Sequence, residues 1–177
     1  MIMKTLKNLI FIFLALFAFK VNAQTDKATT TKIVEEKNYT FVATSAMPLN
    51  NTDINNILSR MPGNTGGGNI NLSGSSYDVR ITPDSIIAYL PYYGRAYTAP
   101  LNRDDNGFKF TSKDFAYTSK KRKKGGWEVV MNTKDTKDSP RLTLSISENG
   151  YGSLIITSNN KQSITYNGYL AENAKKD

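Results

Sequence analysis

The sequence predicts an all-β fold, or a β-dominated one with one short helix. The expected architecture is an antiparallel meander of about eight to ten strands, curled as a barrel, half-barrel or sandwich. Three observations lead there. Apolar residues recur with period two from Asn38 onward, the pattern of strands with one wet face. Turn residues punctuate those runs at short intervals. The last three runs, 141–147, 151–157 and 162–170, sit so close together that they read as consecutive hairpins, since parallel pairing needs a long crossover.

The elements follow in chain order. Residues 24–37 are polar and read as a linker or a short frayed helix. Tyr39, Phe41 and Ala43 then alternate with Thr40, Val42 and Thr44. Thr52 to Arg60 is the one stretch expected to form a helix of note, with Ile54, Ile57 and Leu58 on one face and Asp53 near its start. Gly63 to Asn69 reads as a flexible loop; it lacks the Gly-Lys-Ser/Thr ending of a phosphate loop. Tyr77, Val79 and Ile81 resume the alternation, and Trp127, Val129 and Met131 continue it. Leu142, Leu144 and Ile146 give the clearest case, followed by Leu154 and Ile156, then Ile164 and Tyr166. Turn signals include Pro62-Gly63, Asp104 to Gly107, Gly125-Gly126, Glu148 to Gly150 and Ser158 to Lys161.

The first 23 residues read as a cleavable secretory signal peptide. Lys4 and Lys7 supply the basic start, Leu9 to Phe19 is an unbroken apolar run of 11 residues, and Val21-Asn22-Ala23 offers small residues for cleavage before Gln24. The run is too short for a bilayer span, which takes about 20 apolar residues. No Cys follows the cut to carry a lipid. The expected organisation is signal peptide 1–23, polar linker 24–37, one β domain over 38–172, and a tail at 173–177. The expected product is periplasmic or secreted, with no transmembrane span in its mature form.

Composition narrows the chemistry. Cleavage would leave 154 residues, enough for one domain burying about 70% of its unfolded surface. It would also remove Lys4, Lys7 and Lys20, lowering the formal charge from +8 to +5. That balance favours anionic neighbours through salt-screened attraction. Nucleic acid is a poor partner for an exported chain. With no Cys, disulfides, thiol catalysis and thiolate metal sites are excluded. With no His, the commonest general base and metal ligand is missing too. No cofactor or metal site is expected, and the chain reads as a non-enzyme. Glu35-Glu36, Asp104-Asp105 and Asp135/Asp138 lie in linker or turn sequence, where carboxylates serve as turn formers.

Two segments are candidate sites. Leu90 to Tyr97 packs Tyr92, Tyr93 and Tyr97 around Gly94 and Arg95. This is either a recognition surface, with rigid aromatic area and a forked donor, or a packing device of the kind common beside Pro and Gly. Lys120, Lys121, Arg122, Lys123 and Lys124 form a basic block before Gly125-Gly126. It reads as an anion patch toward lipid headgroups or polyanionic glycans, or as a solvated hairpin tip.

Three segments together resemble a known family. They are Ala88 to Tyr97, Gly107 to Phe110, and Gly150 to Leu154 continuing through Ile164 to Gly168. They are similar to domain-of-unknown-function family 4251, small exported β-rich proteins of Bacteroidota. The resemblance spans roughly Asn38 to Glu172 and implies a periplasmic or secreted single β domain, with no activity to carry over. It also implies one modification, since such bacteria O-glycosylate exported proteins at Asp-Ser/Thr before an apolar residue. Asp84-Ser85-Ile86 fits, making Ser85 a glycosylation candidate.

The functional expectation is therefore a non-catalytic binding or structural module of the envelope, with an envelope protein, a glycan or a small apolar ligand as partner. A lipocalin-like container for an apolar ligand is one alternative, decided by whether the β interior is hollow. A hydrolase of envelope polysaccharide working with two carboxylates is the other, and it needs two acids facing across one cleft.

Overall fold

The alternation places Tyr39, Phe41, Val79, Ile81, Val129, Met131, Leu142, Leu144, Leu154, Ile156 and Tyr166 on one side of their strands, and all of them are buried. A computed structural model describes residues 25–49, 68–98 and 107–173. The expected signal segment, the expected helix at Thr52 to Arg60, the expected Pro62-Gly63 turn, most of the expected loop at Gly63 to Asn69 and the residues just before Gly107 lie outside the described residues.

The described residues form one helix and ten strands: α1 (Lys27–Glu35), β1 (Tyr39–Pro48), β2 (Ile70–Asn71), β3 (Asp78–Ile81), β4 (Ile86–Pro91), β5 (Gly107–Ser112), β6 (Phe115–Lys121), β7 (Trp127–Thr133), β8 (Arg141–Ile146), β9 (Tyr151–Thr157) and β10 (Ile164–Glu172). The strands form one antiparallel sheet in the order β5-β4-β3-β1-β10-β9-β8-β7-β6, nearly closed into a barrel. Two meanders are visible in that order, β3–β5 and β6–β10. The first strand joins them, pairing β10 from Tyr39↔Glu172 to Pro48↔Ile164 on one side. On its other side it pairs β3 and, briefly, β2. Thr44 is the extra residue of a bulge in β1, between Ala43 and Ser45.

β5 and β6 are the two outer strands and follow each other in the chain across Lys113-Asp114. The Asp135 carboxylate holds this corner. It accepts from the Lys113 N–H (2.8 Å), the Asp114 N–H (3.1 Å) and the Ser112 hydroxyl. The Ser112 bond and those N–H groups draw its pKa down to about 2. Turn formation is the role expected of this acid from its sequence setting.

Residues 27–35, expected as part of a linker or as a frayed helix, form an ordered helix that belongs to the domain. Five of its nine residues are β-branched, so local propensity is weak. Its ends and its packing compensate. Asp26 caps the N-terminus by accepting the Thr29 N–H at 2.7 Å. At the other end Lys37 adopts φ 53°, with the Lys37 N–H on the Val34 carbonyl and the Asn38 N–H on the Ile33 carbonyl, the double closure of a Schellman turn. Thr30, Ile33 and Val34 form the buried stripe, and the latter two join the barrel core. The helix covers the barrel end from which β1 departs. There the Tyr117 hydroxyl links Tyr39 (3.2 Å) to the Val34 carbonyl (3.4 Å).

The interior is filled by side chains. Tyr39, Tyr166, Phe41, Leu90, Met131 and Leu144 are among the largest fully buried ones, and the buried apolar residues form a single cluster. With no disulfide in the chain, this cluster supplies the cohesion. Leu144→Ala should therefore cost about 2–5 kcal/mol, a large share of an ordinary domain's stability. Urea denaturation followed by circular dichroism measures it; a loss under about 1 kcal/mol would mean that the core can collapse around the gap.

Candidate functional site

The Tyr-rich segment is a strap across the barrel end at which β1 finishes. After β4 the chain runs beside the β9–β10 connection, with Ala96 bridged to Lys161. The Tyr97 N–H donates to the Asn160 carbonyl (2.8 Å) and the Gln162 N–H to the Arg95 carbonyl (3.1 Å). The Tyr92 hydroxyl lies within reach of the Arg95 and Gln162 carbonyls, at 2.9 and 3.1 Å, and its ring meets Phe108 edge-on. Lys161 is tucked against the same rings, 4.9 Å from the Phe108 centroid, and donates to the Gly107 carbonyl at 2.8 Å. From the opposite wall the Tyr166 hydroxyl donates to the Pro91 carbonyl at 2.6 Å. Tyr92 and Tyr93 are half-buried and pack on the core, whereas Arg95 and Tyr97 are exposed. The structure thus splits the four candidate residues, two into packing and two onto the surface.

Ser85 lies in the tight β3–β4 turn. Its N–H donates to Thr82 Oγ1 at 3.0 Å, and the two hydroxyls lie 2.9 Å apart.

The basic block is also divided. Lys120 sits opposite Glu128 across the β6–β7 pair. Lys121 pairs with Glu35 of the helix at 3.0 Å. Arg122, Lys123 and Lys124 enter the turn, where Gly125 (φ 86°) and Gly126 (φ 79°) occupy the left-handed region. A side chain at Gly126 would overlap the Ile146 carbonyl oxygen, so the turn lies hard against the end of β8. That approach brings the Arg122 guanidinium onto the outer face of the sheet. There it donates to the Ser145 hydroxyl and sits 3.9 Å from the Glu128 carboxylate. Lys123 and Lys124 make no ion pair among the described residues.

Turn and sheet together bound an open groove of about 810 Å³. Its floor is a row across the strands. Ser145 of β8 faces Ser153 of β9, and Ser153 faces Asn167 of β10; Ser45 of β1, opposite Asn167, lies beyond the groove. These side chains point outward because their neighbours Leu144, Ile146, Leu154 and Tyr166 point in. Thr44, on the bulge, donates to the Asn167 carbonyl at 3.1 Å and lines the groove beside it. Tyr151, 56% exposed, stands at the rim. Among the described residues the lining holds three cations, several hydroxyls, an amide and a phenol, and no carboxylate, the Glu148 side chain lying just outside it against Gly125. Such a surface attracts an anion and offers hydrogen bonds in both directions.

Of these residues the sequence points only to the basic ones. Ser145, Ser153, Asn167, Thr44 and Tyr151 escape it, although the signal is there: the outward positions of the last three strands are mostly Ser, Thr, Asn or Tyr. No group of three or more acidic residues among the described residues is placed to hold a metal ion. No helix among them is long and apolar enough to cross a membrane.

The family model for the domain of unknown function DUF4251 matches residues 21–170. The chain belongs to this family. The DUF4251 match begins ahead of α1, so the helix lies inside the matched region. The chain is similar to the crystal structure of a DUF4251 family protein from Bacteroides eggerthii, with a TM-score of 0.54 at 11% identity, covering 82% of this chain and 87% of that one. That likeness is one of fold. No curated protein matches the chain.

The aromatic strap makes a pH prediction for this DUF4251 member. Burial raises the Tyr92 phenol from its ordinary value of 10 to about 12. Burial also raises Tyr39, Tyr93, Tyr117 and Tyr166. A raised phenol favours the folded state while it stays protonated. Its contribution is complete below pH ~10 and is lost as the pH climbs through the folded-state value. Phenolate absorbance from these residues should appear late and in step with loss of the β circular-dichroism signal. Ionisation of all ten tyrosines near pH 10 with the fold intact would contradict the packing described.

Proposed function

We propose that this protein is an exported, non-catalytic binding module of the cell envelope, and that its ligand is anionic and sits in the groove beneath the β6–β7 turn. One observation carries the reading: Arg122, Lys123 and Lys124 gather over a floor of hydroxyls and an amide, with no carboxylate in the lining. Arg122 has Glu128 at 3.9 Å, but Lys123 and Lys124 make no ion pair among the described residues, and a bound anion would relieve the repulsion between these neighbouring cations. Export is supported by the basic start, apolar run and small cleavage residues of the first 23 positions.

The two alternatives find less support. A container needs a hollow interior, whereas the barrel's centre holds Tyr39, Phe41, Tyr166 and Leu144, and the groove lies on its outer, polar face. A two-acid hydrolase has no acid in the groove to act as proton donor or nucleophile.

The reading is tested by ¹H–¹⁵N shift mapping of the chain starting at Gln24 with soluble anions: citrate, polyglutamate and trigalacturonate. At least one should shift Arg122 to Gly125, Ser145, Ser153 and Asn167, and its binding should weaken as salt is added. Replacing Arg122, Lys123 and Lys124 together by Ala should weaken it about three- to 150-fold, since each exposed charge pair contributes about 0.2–1 kcal/mol. Shifts confined to other surfaces, or none with any anion, would sink the reading.

A further inference from the structure

We infer that the groove takes an acidic saccharide, a short run of sugars carrying carboxylate or phosphate, rather than an anion of any other class. This rests on the binding reading above and names its ligand. Three features of the groove work together.

The first is the floor. Ser145, Ser153 and Asn167 stand side by side on β8, β9 and β10. Neighbouring strands lie about 4.8 Å apart, so the row presents one short polar group per step of about that length. Sugar rings in an extended chain repeat on a similar scale and bear hydroxyls along both edges. Ser and Asn groups both donate and accept, as a sugar hydroxyl does. A fully ionised phosphate would use the donors and leave the acceptors idle, and an anionic peptide such as polyglutamate can donate through its N–H groups but has no ring to lay on the rim.

The second is the rim. Tyr151 is directly opposite Tyr169 on the outer face, one step along from the polar row. Its exposed ring is a flat, partly apolar surface with a polar tip, suited to the C–H face of a pyranose. The third is the cationic side. Arg122 is already anchored on Ser145, so its planar fork is held at the floor, while Lys123 and Lys124 reach from the turn. A fixed guanidinium favours carboxylate or phosphate by geometry as well as by charge. The volume of about 810 Å³ falls within the range of sites for small molecules, about 300–1,000 Å³. A membrane headgroup would meet the same cations but would have no use for a ring stacked beside a row of hydroxyls.

The test compares four probes on the chain starting at Gln24, by calorimetry and ¹H–¹⁵N shift mapping. They are trigalacturonate, neutral maltotriose, polyglutamate of matched charge, and vesicles containing phosphatidylglycerol. Trigalacturonate should bind in the groove at least tenfold more tightly than polyglutamate or maltotriose. Tyr151→Ala should weaken it several-fold, and Tyr151→Phe should restore it because the ring is kept. Tyr151 is exposed, so neither change should move the melting temperature appreciably. If polyglutamate binds the groove as tightly, or Tyr151→Ala has no effect, the saccharide assignment falls and the anion-binding reading stands. If vesicles bind through the groove and trigalacturonate does not, the ligand is a lipid surface and the inference is overturned. If maltotriose matches trigalacturonate, or no probe shifts the groove, both readings fall together.

Discussion

The antiparallel pairing of β1 with β10 is the joint on which the molecule depends. It brings residues from opposite ends of the domain into register, Tyr39 against Glu172 and Pro48 against Ile164. Without it the chain would be two meanders, each with an open edge inviting foreign strands. With it, β3–β5 and β6–β10 become flanks of one sheet. The loop-closure entropy of so distant a contact grows only logarithmically with length, and the apolar side chains it buries offset that cost. Phe41, Tyr166 and Leu170 are wholly buried along this joint.

Closing the sheet this way leaves two outer strands, β5 and β6, which the chain itself places in succession. Asp135 then secures their corner through two backbone N–H groups and the Ser112 hydroxyl. The barrel ends are handled differently from each other. At one, α1 lays Ile33 and Val34 onto the core. At the other, the Tyr92 to Tyr97 strap is bonded to the β9–β10 connection, and Tyr166 reaches across to Pro91. The most conspicuous aromatic cluster in the sequence is thus largely spent on closing the barrel.

The groove follows from the same construction. β8, β9, β10 and β1 are contiguous because β1 pairs with β10, so their outward residues form one continuous polar row. The β6–β7 turn overhangs that row because two successive glycines hold left-handed backbone against the Ile146 carbonyl. A basic tip that would otherwise project into solvent is thereby aimed at a hydroxyl-lined floor. Its charges are concentrated over polar groups, where the anion we propose would meet cations and hydrogen bonds at once.

The sequence by itself determined the class of fold, which residues face the core, the final run of hairpins, and a basic turn between β6 and β7. All of these are local: alternation has a period of two residues, and turn chemistry spans four. The helix at Lys27–Glu35 could be read only as a linker or a short frayed helix because three Thr, Ile33 and Val34 disfavour it intrinsically; burial against the barrel and the Lys37 turn supply what propensity does not. Only the tertiary structure decided that β1 lies between β3 and β10, that Tyr92 packs while Tyr97 is exposed, and that Arg122, Ser145, Ser153, Asn167 and Tyr151 share one groove. Those facts depend on register between strands distant in the chain. Register is set by how the whole apolar face closes on itself, not by any pattern within one strand.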